Sequence, residues 1–473
     1  MTVTTDARSN STPTGVDETG LGDAVNDSGL SLPSDANGCP FQMPQSVESF
    51  KEFMYKTQEA RRETVKAILD HAEFDVENYY ALKKAYSIMT DENTTLFQRE
   101  MTVTGNRRFV VNVKDEVLGF EKDIHFLEAL IHIQDDKDLS TLADAYPLVD
   151  LSEVLAHFYP ESFLDEVDQC VEFLKKFVKS AEEHPQGKKP ILVTDWDGTM
   201  KDYCSQYATN LQPVYSALGM ANFAKRFTRL SAVLTAGPLR GPGILDLTAL
   251  PIDGPILFSG SWGREWFLKG RRIVHKDDIS VEGIDALNRF QDEMQTLLHE
   301  PEYCQFELVG SGVQKKVDRL TLGVQTVCTQ VESGLSTQYQ DEIRERMHRV
   351  DPNGQVLHYD PSTELEVEVV VHNDGTVWNK ADGVDVVIQT MGDTLDPPGR
   401  VLICGDTASD LPMVSFAVKK NPEGTMAIFV TQKPELRERV RTLLPSESQS
   451  CFVSCPDVIH AAMHKILKES MAN

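Results

Sequence analysis

The sequence is short of cysteine, of positive charge and of long apolar segments, and each shortage excludes a class of protein. Eight cysteines among 473 residues, with Cys451 and Cys455 as the closest pair, are too few for a disulfide scaffold. No apolar run approaches the roughly 18 residues that a membrane-spanning helix needs. Lys and Arg number 46 against 73 Asp and Glu, and the formal net charge of −27 argues against nucleic acid or an anionic membrane as a partner.

Targeting signals and several common ligand-binding motifs are also missing. No basic segment followed by an apolar stretch and no lipidation or retention motif is visible, so a cytoplasmic location is the simplest expectation. The chain has no HExxH motif, no GxxxxGK(S/T) phosphate-binding loop and no strand–GxGxxG–helix unit. Neither a P-loop nucleotidase nor a dinucleotide-binding enzyme is therefore indicated.

Composition divides the first 185 residues into two parts. Residues 1–45 are rich in Ser, Thr, Gly, Asp and Asn, and we predict a disordered tail because so few apolar side chains cannot offset the entropy lost on ordering. Residues 46–185 show apolar side chains at helical spacing, with Ser46 as a candidate N-cap, which predicts an all-α helical bundle. No catalytic spacing occurs there, so we expect this domain to bind a protein partner or a second copy of the chain.

Beyond residue 187 the pattern of apolar residues changes, and short Val-, Ile- and Leu-rich runs alternate with helical stretches. This pattern is typical of βα units around a buried parallel sheet. We predict a Rossmann-like α/β core in two parts, residues 186–277 and 377–473, with an inserted α+β cap domain at 278–376. The predicted cap elements are strands at 305–309, 319–327 and 364–371 and helices at 284–298 and 338–349.

Two carboxylates follow the first strand of this core. The apolar run 191–194 stops at Asp195 and Asp197, and Gly198 permits a tight turn. In open α/β sheets, ligands bind beyond the carboxyl ends of the strands. A cation relieves the repulsion between such carboxylates, and Mg²⁺ is a hard cation that prefers oxygen ligands. Asp-x-Asp-Gly can also be a capped surface turn, but the buried strand before it favours a catalytic site.

A second acidic pair, Asp406 and Asp410, follows the apolar run 400–404 and can meet the first pair across adjacent strand ends. Two further residues fit a phosphoryl-transfer site in this order. Thr235 follows another apolar run and offers a hydroxyl, and Lys380 precedes a helical stretch and offers a positive charge. Singly, each is more often an ordinary turn or surface residue, and only their order with the two aspartate pairs gives them significance.

This ordered set resembles the haloacid dehalogenase superfamily of phosphatases. The resemblance implies that Asp195 attacks phosphorus to form an aspartyl-phosphate, and that Asp197 protonates the leaving alcohol and then activates water. It also implies an Mg²⁺ ion held by Asp195, the backbone carbonyl of Asp197 and Asp406, with Asp410 as a ligand or an orienting residue. The threonine and the lysine named above would hold the phosphoryl oxygens.

Within that superfamily, two segments are similar to those of trehalose-6-phosphate phosphatases. Residues 258–265 (Phe-Ser-Gly-Ser-Trp-Gly-Arg-Glu) resemble that family's Gly-Ser/Asn-His-Gly-x-Glu loop, with Trp262 in place of histidine. Residues 378–380 (Trp-Asn-Lys) resemble its Trp-Asn-Lys-Gly segment, with Ala381 in place of glycine. With its helical N-terminal part, the architecture resembles that of the nematode-type enzymes. The resemblance implies hydrolysis of trehalose 6-phosphate to trehalose and phosphate.

Substrate-binding candidates come from the same loop and from polar residues of the predicted cap. The cap has one dense polar turn with positive charge, and one strand face carries Glu364, Glu366 and Glu368, of which we select the last. The full set of candidates is Trp262, Arg264, Gln314, Lys316, Arg319 and Glu368.

Two alternative functions stay open at this point. The enzyme can act on another sugar phosphate, such as sucrose phosphate or a hexose phosphate. Alternatively, the chain is a scaffold or regulatory protein with a non-catalytic phosphatase fold. Such a protein is expected to have lost one or more of the motif residues, and Asp195, Asp197, Lys380 and Asp406 are all present.

Overall fold

The computed structural model describes residues 42–90, 97–103, 107–179, 188–276, 278–326, 330–361, 363–371 and 378–472. Residues 1–41 of the predicted disordered tail lie outside these ranges. The helices of the N-terminal domain are α1 (Val47–Leu69), α2 (Val76–Met89), α3 (Lys114–Asp136), α4 (Leu142–Ala145), α5 (Leu151–Ala156) and α6 (Ser162–Val178). Ser46 caps α1 as predicted, because its side chain accepts a hydrogen bond from the Ser49 amide.

A β-hairpin interrupts these helices and was not predicted from the sequence. Strands β1 (Gln98–Val103) and β2 (Arg107–Asn112) pair antiparallel between α2 and α3. Met101 of the first strand and Val111 of the second are buried. Most other positions in the first strand are polar or charged, so the alternation that marks a strand is weak in the sequence.

The remaining elements follow in chain order. The strands are β3 (Ile191–Thr194), β4 (Leu230–Leu234), β5 (Leu257–Gly260), β6 (Glu265–Leu268), β7 (Arg271–Val274), β8 (Val313–Lys315), β9 (Arg319–Gly323), β10 (Leu357–Asp360), β11 (Glu366–Val371), β12 (Val401–Gly405), β13 (Thr425–Val430) and β14 (Ser450–Val453). The helices are α7 (Val214–Phe227), α8 (Ile244–Leu247), α9 (Val281–Leu298), α10 (Ser333–Val350), α11 (Lys380–Thr390), α12 (Leu411–Lys420), α13 (Pro434–Leu443) and α14 (Pro456–Ala472).

An eight-stranded sheet of order β14-β13-β12-β3-β4-β5-β6-β7 forms the core, which confirms the predicted α/β class. The strands from β14 to β5 run parallel, and β6 and β7 add an antiparallel edge. The central strands β12, β3 and β4 are buried along their whole length. Their continuous apolar runs follow from burial on both faces of a parallel sheet.

The inserted unit between β7 and α11 contains a four-stranded antiparallel sheet of order β10-β11-β9-β8. Helices α9 and α10 share one hydrophobic core with this sheet, and both were predicted. The predicted strand at 305–309 is wrong, since Cys304–Glu307 forms a 3₁₀ turn. Phe306, Leu308 and Val309 are buried in and after this turn, and the Phe306 ring stacks on Tyr339 with centroids 3.8 Å apart. A short buried turn therefore shows the same mixture of apolar and polar residues as a strand.

The helical domain docks on the core and also touches the inserted unit. Arg62 donates to three backbone carbonyls in and after α8, at 2.8–3.0 Å. Lys122 forms a buried ion pair with Asp457 at 2.8 Å. Lys51 pairs with Glu307 of the inserted unit. None of the described helices has the length and apolar character needed to cross a bilayer.

Glu116, in the first turn of α3, is buried at this interface, and its Oε1 accepts a hydrogen bond from Thr209 at 2.7 Å. Burial, and to a lesser extent Asp115, raises the pKa of its carboxyl from 4.5 to about 8, against the hydrogen bond from Thr209 and the charge of Lys201. The folded protein therefore holds a proton that the unfolded chain releases. The stability this proton contributes is present below about pH 4.5 and is lost as the pH rises to about 8.

We expect Glu116→Gln to remove this pH dependence, because the amide keeps the acceptor for Thr209 and does not titrate. Thermal melts between pH 5 and 8 should show the wild type losing about 1 kcal/mol per pH unit relative to the variant. The exposed Glu153→Gln is the matched control and should follow the wild type. An identical pH trend in wild type and Glu116→Gln would contradict the assignment.

Candidate active site

The carboxyl ends of β3 and β12 bring the two aspartate pairs together. The strands are neighbours, with Thr194 opposite Cys404, and the Asp195 amide donates to the Cys404 carbonyl at 2.9 Å. Gly198 has a φ of +78°, and a Cβ at this residue would lie 2.2 Å from Oδ2 of Asp406. Both the turn and the close approach of the second pair therefore require glycine at this position.

Lys380 begins α11 and directs its ammonium group into the carboxylates. Asn379 caps the helix, since its side chain accepts from the Ala381 amide at 2.8 Å. Lys380 Nζ donates to Oδ1 of Asp195 and to Oδ1 of Asp410, both at 2.6 Å. Burial lowers the pKa of Lys380, but the two carboxylates outweigh burial and raise it. The residue is therefore a fixed positive charge inside the site.

Both oxygens of the buried Asp410 are engaged within the protein. Oδ1 accepts from Lys380, and Oδ2 accepts from the backbone amides of Asp406 and Thr407 at 3.0 Å each. These bonds fix the loop after β12. The arrangement fits an orienting role for Asp410 towards Lys380 and Asp406.

Asp406 is held by neutral hydroxyl groups. Its Oδ2 accepts from the Tyr203 hydroxyl at 2.9 Å and its Oδ1 from the Thr199 hydroxyl at 3.4 Å. Burial, followed by the charges of Asp195 and Asp410, raises the pKa of Asp406. One ligand oxygen from each of these three aspartates lies within 4.8 Å of the others. The cluster therefore sets three carboxyl groups against one lysine, and a further cation would favour the ionised form of Asp406.

Asp197 faces Thr235 across the site. The Thr235 hydroxyl, at the end of β4, donates to Oδ2 of Asp197 at 3.2 Å and accepts from the Gly237 amide at 3.1 Å. Asp197 Oδ1 is buried and has no hydrogen-bond partner among the described residues. Burial and the neighbouring Asp195 raise the pKa of Asp197 to about 7. Its carboxyl can therefore hold or release a proton near neutral pH.

A cavity of about 370 Å³ lies between these core residues and the inserted unit. Its core side includes Asp195, Asp197, Thr235 and Lys380, so the structure brings the four predicted catalytic residues to one cavity. The inserted unit contributes Gly310, Ser311, Gln314, Lys316, Gln325, Thr363, Leu365 and Glu366. The cavity thus has an acidic end, which also holds the ammonium group of Lys380, and a polar end in the inserted unit.

Of the predicted substrate residues, Gln314 and Lys316 line this cavity. Glu368 lies behind them and accepts from Lys316 Nζ at 3.2 Å and from Arg319 Nη1 at 2.7 Å. Burial raises the pKa of Glu368, but Lys316 and Arg319 together pull it down to about 2. Glu368 therefore stays ionised and fixes the position of Lys316 at the cavity.

Trp262 and Arg264 lie beside the cavity rather than in its lining. Trp262 adopts a left-handed backbone with φ of 60°, and the Arg319 guanidinium lies 6.0 Å from the centroid of its ring. Arg264 is 1 % exposed, pairs with Asp318 of the inserted unit at 3.5 Å and lies 4.5 Å from the centroid of Trp378. Both residues join the core loop after β5 to neighbouring elements.

A further wall of the cavity is the segment 203–210, which we call the active-site strap and which was not predicted from the sequence. Tyr203, Cys204, Tyr207 and Asn210 of the strap line the cavity. The segment is irregular apart from a 3₁₀ turn, so no apolar periodicity marks it. The available signal is its polar and aromatic side chains directly after the first aspartate motif.

Fold and site together define a class of protein. Two aspartates follow a central parallel strand, a threonine follows the next strand in the sheet, and a second aspartate pair follows the strand on the other side. A lysine at a helix start joins one aspartate of each pair. This is the arrangement of a haloacid dehalogenase-type phosphatase.

Comparison with known proteins gives the family. The family model described as "Trehalose-6-phosphate phosphatase, C-terminal" matches residues 192–459, and that of the family's "N-terminal helical bundle domain" matches 46–144. A trehalose-phosphatase of Brugia malayi is 59% identical over 428 residues, covering 90% of this chain and 86% of that protein. A trehalose-phosphatase of Caenorhabditis elegans is 48% identical over 427 residues, covering 90% and 96%. The chain belongs to the trehalose-6-phosphate phosphatase family and is a phosphatase.

Proposed function

We propose that this protein hydrolyses trehalose 6-phosphate to trehalose and phosphate, with Mg²⁺ as cofactor and through an aspartyl-phosphate. The observation that carries the proposal is the cavity in which Asp195, Asp197, Thr235 and Lys380 face the polar residues of the inserted unit. The names of the two relatives described above support the choice of sugar.

Asp195 is the proposed nucleophile. Its Oδ1 is held by Lys380, and a carboxylate oxygen attacks phosphorus as the bond from phosphorus to the sugar oxygen breaks. Asp197 gives its proton to the departing sugar oxygen, which its pKa near 7 permits. Water then attacks phosphorus, Asp197 takes the proton from that water, and the phosphorus–carboxylate bond breaks. Phosphate is released and Asp195 is regenerated.

The residues present fit a hard divalent cation. Three aspartate oxygens lie within 4.8 Å of one another, and the hydroxyl partners of Asp406 bring no positive charge. Asp195 and Asp406 would hold Mg²⁺ together with the backbone carbonyl of Asp197, while Asp410 orients. When bound, Mg²⁺ offsets negative charge on the transferring phosphoryl group. Lys380 and the Thr235 hydroxyl contribute to the same end from the protein side.

The inserted unit, proposed as a cap over residues 278–376, binds the sugar in this scheme. Gln314 and Lys316 offer hydrogen bonds to sugar hydroxyls, and Glu368 positions Lys316. Arg319 and Arg264 act through Glu368 and Asp318, and the Trp262 ring packs beside Arg319. A cap of this kind excludes water from the reacting groups. The predicted binding of a partner or second copy by the helical domain stays a prediction.

The first test is phosphate release with Mg²⁺ from trehalose 6-phosphate, sucrose 6-phosphate, glucose 6-phosphate and 4-nitrophenyl phosphate. We expect kcat/KM to be at least about 100-fold higher for trehalose 6-phosphate than for the other sugar esters, because the inserted unit offers directed polar groups. Chelation of divalent cations should abolish the reaction, and Mg²⁺ should restore it. Preference for another sugar overturns the substrate and keeps the chemistry. If no phosphate is released from any of the four esters, the result favours the scaffold alternative.

A further inference from the structure

The active-site strap is anchored to the helical domain. Oδ2 of Asp115, in the first turn of α3, accepts from the Ser205 amide at 3.0 Å and from its hydroxyl at 3.5 Å. Gln206 Nε2 donates to the Asn112 carbonyl at the end of β2, at 2.7 Å. A wall of the catalytic cavity is thus held by residues about 80 positions earlier in the chain than the catalytic motif.

The same stretch of the strap is anchored to the inserted unit. The Gly310 amide donates to the Ser205 carbonyl at 3.0 Å, and the Tyr207 amide donates to the Gly310 carbonyl at 2.9 Å. Ser205 is therefore bonded on one side to Asp115 and on the other to the inserted unit. These two anchors fix the backbone from which the Tyr207 side chain projects.

The Tyr207 hydroxyl lies beside Gly237, close to Thr235 at the acidic end of the cavity. A Cβ at Gly237 would lie 2.5 Å from this hydroxyl. The amide of Gly237 donates a hydrogen bond to the Thr235 hydroxyl. Tyr207 is 9% exposed, and its hydroxyl has no hydrogen-bond partner among the described residues. A buried hydroxyl without a partner is unfavourable, so this oxygen is suited to a ligand that supplies one.

We propose that Tyr207 is a further substrate-binding residue, donating its hydroxyl proton in a hydrogen bond to a phosphoryl oxygen of the ester, and that Asp115 is the positioning residue that holds it there. The inference deepens the proposed phosphatase function and rests on it for its kinetic readout. A neutral phenol suits the place, because it donates to a phosphate oxygen without adding charge beside Asp197. The helical domain is then part of the active-site support.

Tyr207→Phe tests the contact, since it removes only the oxygen. We expect kcat/KM to fall about tenfold for both trehalose 6-phosphate and 4-nitrophenyl phosphate, because the contact is to the phosphoryl group. Inhibition by inorganic phosphate should weaken by a similar factor, and the melting temperature should not fall. Tyr339→Phe is the matched control, because its buried hydroxyl also lacks a described partner but lies in the core of the inserted unit. It should leave all three readouts unchanged.

Asp115→Ala tests the positioning role. We expect a loss of about tenfold in the same parameters, largely restored in Asp115→Asn, which keeps an acceptor for the Ser205 amide. The double variant with Tyr207→Phe should be little worse than either single one, because both changes remove the same contact. Asp135→Ala, exposed near the far end of α3, is the control and should match the wild type.

Each result decides one part of the scheme. Unchanged phosphate inhibition in Tyr207→Phe would overturn the binding role, and additive losses in the double variant would overturn the positioning role. A wild type that hydrolyses no phosphate ester overturns the proposed function instead. In that case, calorimetric titration of wild type and Tyr207→Phe with inorganic phosphate and Mg²⁺ still tests the contact, with weaker binding by the variant expected.

Discussion

Asp195→Asn is expected to abolish hydrolysis of every phosphate ester, with kcat falling by about 10⁴-fold or more, the order of loss seen when a nucleophile is removed. The amide has nearly the same shape and its oxygen can still accept from Lys380 Nζ, which lies 2.6 Å from Oδ1 in the wild type. It does not attack phosphorus at a useful rate. The variant should therefore fold and bind inorganic phosphate, and lose turnover alone.

The measurement is phosphate release by the purified variant at saturating substrate, with thermal melting as a check on folding. Asp253→Asn is the matched control, because Asp253 is exposed on the same core. It should retain wild-type turnover. Normal turnover by pure, folded Asp195→Asn would remove Asp195 from the mechanism.

Lys380→Met should have the second largest effect, acting on both stability and turnover. It removes the cation shared by Asp195 and Asp410 and leaves two carboxylates in a buried site, where loss of one partner of an ion pair costs about 3 kcal/mol or more. Turnover should fall at the same time, because the phosphoryl group loses a fixed positive charge.

Added Mg²⁺ should offset part of the lost stability of Lys380→Met, because the metal ion then neutralises the aspartates in place of the missing ammonium group. Thermal melts with and without Mg²⁺, together with kcat, measure both effects. The control is Lys225→Ala, an exposed lysine of α7. A Lys380→Met protein with wild-type melting temperature and turnover would show that this contact is dispensable.

The acidic end of the cavity was predictable because its residues stand next to the strongest signals in the sequence. Asp195 and Asp406 each follow a fully buried parallel strand, whose unbroken apolar run is visible without a structure. Neighbouring parallel strands end at the same edge of a sheet, so the strand ends were enough to predict that Asp195, Asp406 and Thr235 lie together. Lys380 begins a helix, and only its order with the two aspartate pairs pointed to it.

The polar end was less predictable, because irregular backbone carries no periodicity. The strap takes its shape from bonds to Asp115 and Gly310, which are distant in sequence and lie in different parts of the fold. In the inserted unit, Glu364 precedes β11 and is exposed, whereas Glu368 is buried by its two cationic partners. Strand alternation alone could not distinguish these two glutamates, which it places on one face.

The buried ion pair of Lys122 and Asp457 constrains which substitutions and domain exchanges this protein can accept in evolution. Asp457 also accepts from Tyr159 of the helical domain at 2.8 Å and from Tyr215 of the core at 2.9 Å, so two of its three donors come from the helical domain. A lineage that exchanged that domain for one without Lys122 and Tyr159 would leave a carboxylate buried with one donor. We expect the two parts to be inherited together, with substitutions at Lys122 accompanied by changes at Asp457.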